Sequence, residues 1–553
     1  MAGILLALLG VLIPAPALLQ SLTGQASGWA PELVSGADYF KISLMVLGLF
    51  MLALTIIPVW QPKSVDARPR DPANKLATLL VLAVLAASAA LRLYQLNSGL
   101  WLDEILTNVL FARMPFGDIL TTYQSENQHF LYSLMAHGSF LLFGESAWAL
   151  RLPAVIFGVG SIWALYLLGR QAAGTREGLL AAALMAFSYQ HVWFSQNARG
   201  YTGLLFWAIL STYFLLRALR EGRAGLWLLY AISIALGMYT HITMAFVILG
   251  QFVVYAGTTL VAWKRRQGLT MAGLLLGFVL GGLLTLQLYA LVLPQMIGTS
   301  GREPSLVEAW KNPLWTLLEL VNGVELSFAG GLVALAALVV LCIGLVSYAR
   351  SRPAVVVMLL LPPAVTALVV LVLGHHMWPR LFFFALGFGA LIVVRGAVVA
   401  GDIVGRFIRL PVSRQPWVGT AAALGLVLVA SLSLRFVYGP KQDYGAALDF
   451  VRSQLGPGDV VATASLSTFV YDDFFKTGWP QVKTGADLEQ LRSDSRRVWL
   501  VYTFPPVMEA EAPEVMAQVQ KDFTLVKQFE GSVGDGTVFV VRADGPGAPT
   551  ASK

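Results

Sequence analysis

The chain is poor in charge and nearly devoid of cysteine. Of its 553 residues, 12% are Asp, Glu, Lys or Arg, against about 25% in an average soluble domain. A single cysteine, Cys342, excludes a disulfide scaffold and a zinc ribbon. What fills the chain instead is apolar: 57% of the residues are hydrophobic and the mean hydropathy is +0.69. That balance excludes an ordinary cytosolic enzyme and a disordered polymer.

The charge is also unevenly placed. Residues 438–553 hold 11 basic and 15 acidic residues, whereas residues 1–437 hold 27 basic and 16 acidic ones. A large membrane part followed by a normally polar domain is the reading that fits. The net charge of +7 therefore gives no ground for nucleic-acid binding, because basic loops also fix membrane orientation.

A spanning helix needs about 20 mostly apolar residues. Runs of that kind lie near 3–22, 40–60, 76–94, 152–170, 178–195, 202–219, 225–240, 242–263, 271–293, 327–348, 354–373, 380–400 and 416–436. About 13 crossings are expected. The shorter run from His129 to Gly144 is ambiguous, and charge decides it. If 129–144 does not span and the N-terminus is cytoplasmic, the inner loops carry 18 basic and 5 acidic residues, and the outer segments 6 basic and 11 acidic. Letting 129–144 span would put the Arg217/Arg220/Arg223 and Lys264/Arg265/Arg266 clusters outside, against the positive-inside rule. A juxtamembrane helix is expected there. The opening segment lacks a basic leader, so it is read as a retained helix rather than a signal peptide.

The expected organisation is two leading spans with a basic loop (1–75), a membrane domain (76–437) and an extracytoplasmic α/β domain (438–553). In the last, Asp443–Leu455 and about 511–520 read as helices, and Asp459–Thr463, Arg497–Thr503, Phe523–Glu530 and Thr537–Arg542 as strands. That domain has no glycine-rich phosphate loop and no metal-ligand spacing.

On the expected outer side, polar groups gather at the membrane boundary. Asp103 and Glu104 stand side by side after Gly99-Leu100-Trp101-Leu102, a costly position for two carboxylates unless a cation or donor compensates them. The same level holds Glu126 with His129, Ser195-Gln196-Asn197-Ala198-Arg199-Gly200-Tyr201, His241, and His375-His376-Met377-Trp378-Pro379-Arg380. Arginine is suited to phosphate and carboxylate to a general base or a divalent ion. Each also has a plainer reading: Arg199 and Arg380 as interfacial anchors, His241 as a helix end, the His375/His376 pair as a solvated loop.

The runs RLYQLNSGLWLDE, ENQHFLYSLMAHGSFLLFGESAWALRLPAVIFGVGSIWALYLLGR and FSYQHVWFSQNARGYTGLLFWAILS resemble the polytopic C-type glycosyltransferases (the GT-C superfamily), in the branch with protein O-mannosyltransferases and the bacterial aminoarabinose transferase. WPRLFFFALGFGAL resembles a later helix of that family that opens with arginine. The resemblance spans residues 88–240 and, more loosely, 375–400. One departure is Gln128-His129-Phe130, where family members often have His-Pro-Pro.

The resemblance implies a GT-C-like fold with juxtamembrane helices in the first outer loop. It implies an inverting transfer of sugar from a polyprenyl-phosphate carrier to an envelope glycan, lipid or protein acceptor, in the plasma membrane. Asp103 would be the base. Arg199 and Arg380 would bind the donor phosphate. Glu104 and Glu126 would hold the acceptor, or Asp103 and Glu104 a divalent metal if one is used. His129, Asn197, Tyr201, His241 and His376 would bind substrate. A transporter or flippase of lipid-linked or small polar solutes is the alternative. It would instead favour midplane charges and internal repeats, whereas the midplane stretches here hold almost no charges and no internal repeat is visible.

Overall fold

The computed structural model describes residues 1–56, 75–125, 127–264, 271–299, 307–327 and 331–544. Most of the expected basic loop at 61–75, Arg265, Arg266 and Glu126 lie outside the described residues. Nine helices among those described are long and apolar enough to cross a membrane: Pro31–Ile56, Lys75–Leu93, Ala147–Ala173, Tyr201–Glu221, Met244–Lys264, Gly331–Ser351, Pro353–Val372, Pro379–Phe407 and Gln415–Phe436. Each coincides with an expected span.

The other four expected spans are helical but not simple. The 3–22 segment is two helices, Ala2–Leu12 and Ala15–Thr23, bent by 92°. The break falls at Pro14, whose ring cannot continue the first helix. The 271–293 segment turns by 82° before Leu293–Thr299. The 178–195 segment is split into Thr175–Ala186 and Tyr189–Ser195, and the carbonyl of Ala186 freed at that break accepts from the Arg92 guanidinium at 3.2 Å. The fourth, Ala224–Thr240, has 17 residues. The ambiguous run is the 14-residue helix Phe130–Phe143, too short to cross about 30 Å of hydrocarbon at 1.5 Å per residue.

Contacts sort the loops onto two opposite ends of the bundle. At one end, Arg395 pairs with Glu177 at 2.7 Å, Arg352 donates to the Ala172 carbonyl and Arg176 to the Pro416 carbonyl. At the other end lie Asp103, Arg199, Arg380 and His241, together with the C-terminal domain. The helices between them pack closely. A Cβ at Gly344 would collide with the Ile392 carbonyl oxygen, and one at Gly396 with that of Val340. The crossing of Gly331–Ser351 over Leu386–Phe407 therefore depends on two bare backbones, a common device where helices pack in lipid.

The C-terminal domain is a five-stranded sheet in the order β2-β1-β3-β5-β4. The strands are β1 (Asp459–Ala464), β2 (Gln481–Val482), β3 (Arg497–Thr503), β4 (Thr524–Phe529) and β5 (Val538–Asp544). β1 pairs parallel with β2 and β3, and β5 lies antiparallel to β3 and β4. All four expected strands are present. The two-residue β2 is too short to show a period in the sequence.

One face of the sheet packs its own helices through Val498, Leu500, Val515 and Val519. The other joins a cluster that runs without interruption from Trp499, Val501, Tyr444 and Val538 into Leu100, Trp101, Ile105, Tyr132 and Leu150 of the membrane part. The domain is seated on the segment around residues 100–150 by a shared hydrophobic core.

The glycine crossing gives a direct check. Gly344→Val and Gly396→Val each force backbones apart, an overpacking cost of about 1–3 kcal/mol. Thermal unfolding in detergent is expected to drop for both. Gly282→Ala, where an added Cβ meets nothing within 4 Å, is expected to leave it unchanged.

Candidate active site

The short helix Leu102–Thr107 begins where Gln442 Oε1 accepts the Leu102 N–H at 3.0 Å. Asp103 and Glu104 occupy its first turn, where the helix dipole favours negative charge. Successive side chains on a helix diverge by about 100°, so these neighbours point to different partners.

Glu104 turns inward and is fully buried. Its carboxylate takes a two-pronged bond from Arg151, Nε at 2.7 Å and Nη2 at 2.6 Å. It also accepts the backbone N–H of Ala198 at 2.8 Å. Arg151 spends its remaining donors on the carbonyls of Leu96, Ser98 and Gly99. Burial pushes the Glu104 carboxyl up, but Arg151, Lys441 and the hydrogen bonds outweigh it and hold the group below its usual range. This carboxylate is engaged by protein on both oxygens, so the structure gives it the work of fixing the loop rather than of meeting a ligand. Arg151, hidden at the start of an apolar helix, was not among the expected site residues; its signal was the Leu150-Arg151-Leu152-Pro153 motif.

Asp103 points the other way. Arg380 Nη1 donates to its Oδ2 at 2.7 Å, and Arg199 Nε stands 4.0 Å from the same oxygen. Arg199 is held by Asn127, through the carbonyl at 3.2 Å and the side-chain oxygen at 2.8 Å, and its Nε has no hydrogen-bond acceptor among the described residues. Arg380 lies 4.8 Å over the Trp378 ring. The structure thus brings together three residues separated by up to 277 positions in the chain.

His129 and His241 complete the wall. Their rings meet edge to face at 4.6 Å, and Tyr201 packs against both. The Gly200 N–H donates to His129 Nδ1 at 2.7 Å, which leaves the proton of the neutral ring on Nε2. A side chain at Gly200 would strike that imidazole, so glycine is needed for the approach. Burial, reinforced by Arg199 and Arg380, lowers the pKa of both histidines, that of His241 to about 3. Both are neutral at physiological pH. The sensed field is positive because two guanidinium groups face one carboxylate.

Two expected residues stand apart from this cluster. His376 packs between Trp310 and Trp378, and burial, then Lys311 and Arg380, lower it to about 4. Asn197 accepts the Trp101 indole N–H at 3.2 Å. Glu126 lies outside the described residues. No group of three or more His, Cys, Asp or Glu able to hold a metal ion occurs among the described residues. Asp103 with two guanidinium groups beside it and Glu104 locked on Arg151 do not form a divalent-metal donor set.

A cavity of about 620 Å³ opens beside Arg380. Trp101, Asn197, Trp378 and Arg380 line one end, with Ser532, Val533 and Gly534 of the C-terminal domain. From there it runs between apolar helices, past Leu338, Leu341, Leu386, Ala390 and Val393.

Residues 127–293 match the family model described as dolichyl-phosphate-mannose-protein mannosyltransferase. The matched stretch is less than half of the chain. It contains His129, Arg151, Asn197, Arg199, Tyr201 and His241, while Asp103 and Arg380 lie outside it. Among curated proteins, YkcB of Bacillus subtilis, provisionally named a mannosyltransferase, is 27% identical over 194 residues, covering 32% of this chain and 26% of its own. NADH-quinone oxidoreductase subunit N of Ectopseudomonas mendocina is 38% identical over 106 residues, covering 18% and 21%. The chain thus spans about a quarter of the length of these relatives. Among solved structures, ArnT from Cupriavidus metallidurans bound to undecaprenyl phosphate is similar at 13% identity with a TM-score of 0.48, over 85% of this chain and 99% of that one.

The two adjacent carboxylates are expected to respond unequally to neutralisation. Glu104→Gln leaves Arg151 buried beside an uncharged partner, a loss of roughly 3–5 kcal/mol, and should sharply lower the melting temperature of the purified protein. Asp103→Asn loosens a less enclosed pair, whose Arg380 side chain is 23% and Asp103 side chain 11% exposed, and should melt closer to the wild type. Linkage gives the same sign: the Glu104 contribution is present above the usual carboxyl pKa of about 4.3 and is lost as pH falls through its lower folded value.

Proposed function

We propose that the chain is a membrane-embedded inverting glycosyltransferase that moves a sugar from a polyprenyl-phosphate carrier to an acceptor on the extracytoplasmic face of the plasma membrane. The observation that carries this reading is the place of Arg380: it lines an apolar cavity that also holds Glu319, and with Arg199 it faces the single carboxylate of Asp103. A lipid phosphate satisfies both halves, its anion at the arginines and its chain along Leu338, Leu341 and Val393. The family description over residues 127–293 names a dolichyl-phosphate donor and supports the same choice.

The chemistry asks little of an acid. The polyprenyl phosphate leaves with the electron pair of the anomeric carbon–oxygen bond, and Arg380 and Arg199 stabilise the charge it gains. The acceptor hydroxyl attacks from the opposite face, forms the new carbon–oxygen bond and gives its proton to Asp103. Before the donor binds, Asp103 neutralises Arg380. The phosphate then takes over that guanidinium, and the carboxylate becomes free to receive the proton. Neutral His129 and His241 offer hydrogen bonds to substrate without adding charge. Glu104 acts through Arg151 and Ala198 as a positioning group. The N-terminus is cytoplasmic and the sheet domain extracytoplasmic, on the strength of the basic residues at the loop end opposite Asp103. The acceptor is an envelope glycan, lipid or protein.

Asp103→Asn should abolish sugar transfer in purified membranes while polyprenyl phosphate binds at least as tightly as to wild type, because a competing anion is gone. Near-normal turnover would refute the assignment. Arg380→Ala should lower kcat/KM by about 10²–10³. The kcat/KM profile should show no histidine limb between pH 5 and 8, since His241 titrates at about 3; a limb near 6.5 that disappears in His241→Asn would contradict the neutral-histidine assignment.

A further inference from the structure

Asn197 is 1% exposed, and its amide orientation is fixed by chemistry. An indole N–H only donates, so the Asn197 atom facing Trp101 must be the oxygen. That leaves Nδ2, with two hydrogens, buried and without an acceptor among the described residues. Such an orphan donor costs about 1–3 kcal/mol. Asn197 lines the same cavity as Arg380, so a bound molecule can supply the missing acceptor.

The surroundings are unlike the rest of the cavity. Trp101 and Trp193 stand 6.2 Å apart between ring centres. The Trp193 indole donates to Ser532 Oγ at 2.9 Å. Ser532 belongs to the loop between β4 and β5, which is tied down by the Ser532 N–H on the Pro440 carbonyl and the Val533 N–H on the Lys441 carbonyl. Asp535 of the same loop accepts the Trp310 indole N–H at 3.2 Å. The C-terminal domain thus reaches down to close one wall of the cavity through Ser532, Val533 and Gly534. Flat aromatic walls with one amide donor suit the C–H faces and hydroxyls of a pyranose or furanose ring. They do not suit a polyprenyl chain.

We infer that Asn197, Trp101, Trp193 and the Ser532–Gly534 loop form the pocket for the donor's sugar ring, with Asn197 Nδ2 donating to a ring hydroxyl, so that the C-terminal domain takes part in choosing the sugar. The inference rests on the lipid-linked donor reading. It gives the sheet domain a share in the site that no motif within its own sequence announces.

The test measures binding of the full-length protein, in nanodiscs, to polyprenyl phosphate, either bare or carrying mannose, glucose, galactose or arabinose. Wild type is expected to prefer at least one glycosylated lipid over the bare one. Asn197→Asp keeps the acceptor for Trp101 and removes the donors. Its added charge weakens both lipids alike, so the ratio of affinities is the readout. That ratio should fall by about 2- to 10-fold, the worth of one hydrogen bond. Gly534→Leu should also erase the preference, because an added Cβ there meets only Glu319 Oε2 at 3.8 Å and the longer side chain grows into the cavity without disturbing the backbone. An unchanged ratio in both variants, or a wild type with no preference among the lipids, would overturn the sugar pocket while leaving the donor reading standing. A wild type that binds none of the lipids would overturn both.

Discussion

Glu104 is bonded at once to Arg151 and to the backbone N–H of Ala198, and these two contacts place Asp103 and Arg199, each one residue away. Everything else at the site follows from that buried pair. It pins the loop from Leu96 to Glu104 onto the Ala147–Ala173 helix, ties the Ser195–Tyr201 turn to the same point, and so brings an acid and a base from distant parts of the chain to one spot. A buried ion pair of this sort adds little net stability over an apolar packing. Its value is geometric, because the two-pronged contact admits one arrangement of the loop.

The consequence is a division of labour between neighbours of the same chemical type. Asp103 keeps some access to solvent and faces two guanidinium groups through one oxygen, whereas Glu104 is sealed. In the same way the cavity is divided along its length. Arg380, Asn197 and the indoles of Trp101 and Trp378 collect at one end, and a mostly apolar lining follows. A ligand with an anionic head and a long apolar chain has one way to enter, and the head then lies where Arg380 and Asp103 meet.

Much of this was legible in the sequence. The count of basic residues in alternate loops sorted the polar segments onto one side before any contact was known, and Asp103, Arg199 and Arg380 share that side in the structure. The first hydrophobic run was read as a single span, and the bend at Pro14 was missed. What the sequence withheld were facts of direction. Two adjacent carboxylates look alike in a string of letters, and only the rotation of the Leu102–Thr107 helix decides which is buried. Arg151 looked like part of a loop charge, because its partner lies 47 residues earlier. The contribution of the β4–β5 loop was invisible, since Ser532-Val533-Gly534 carries no motif and meets Trp193 across more than 300 residues. The interruption at Phe187–Ser188 was missed for a similar reason: apolar content alone does not reveal that Arg92 receives the broken helix end.

The central claim is that a lipid phosphate exchanges places with the Asp103 carboxylate on Arg380. An experimental structure of the full-length protein with polyprenyl phosphate tests it most directly. The account predicts phosphate oxygens within hydrogen-bonding distance of Arg380 and Arg199, the chain along Leu341 and Val393, and Asp103 released from Arg380. A phosphate bound elsewhere, with the Asp103–Arg380 pair still closed, would contradict it.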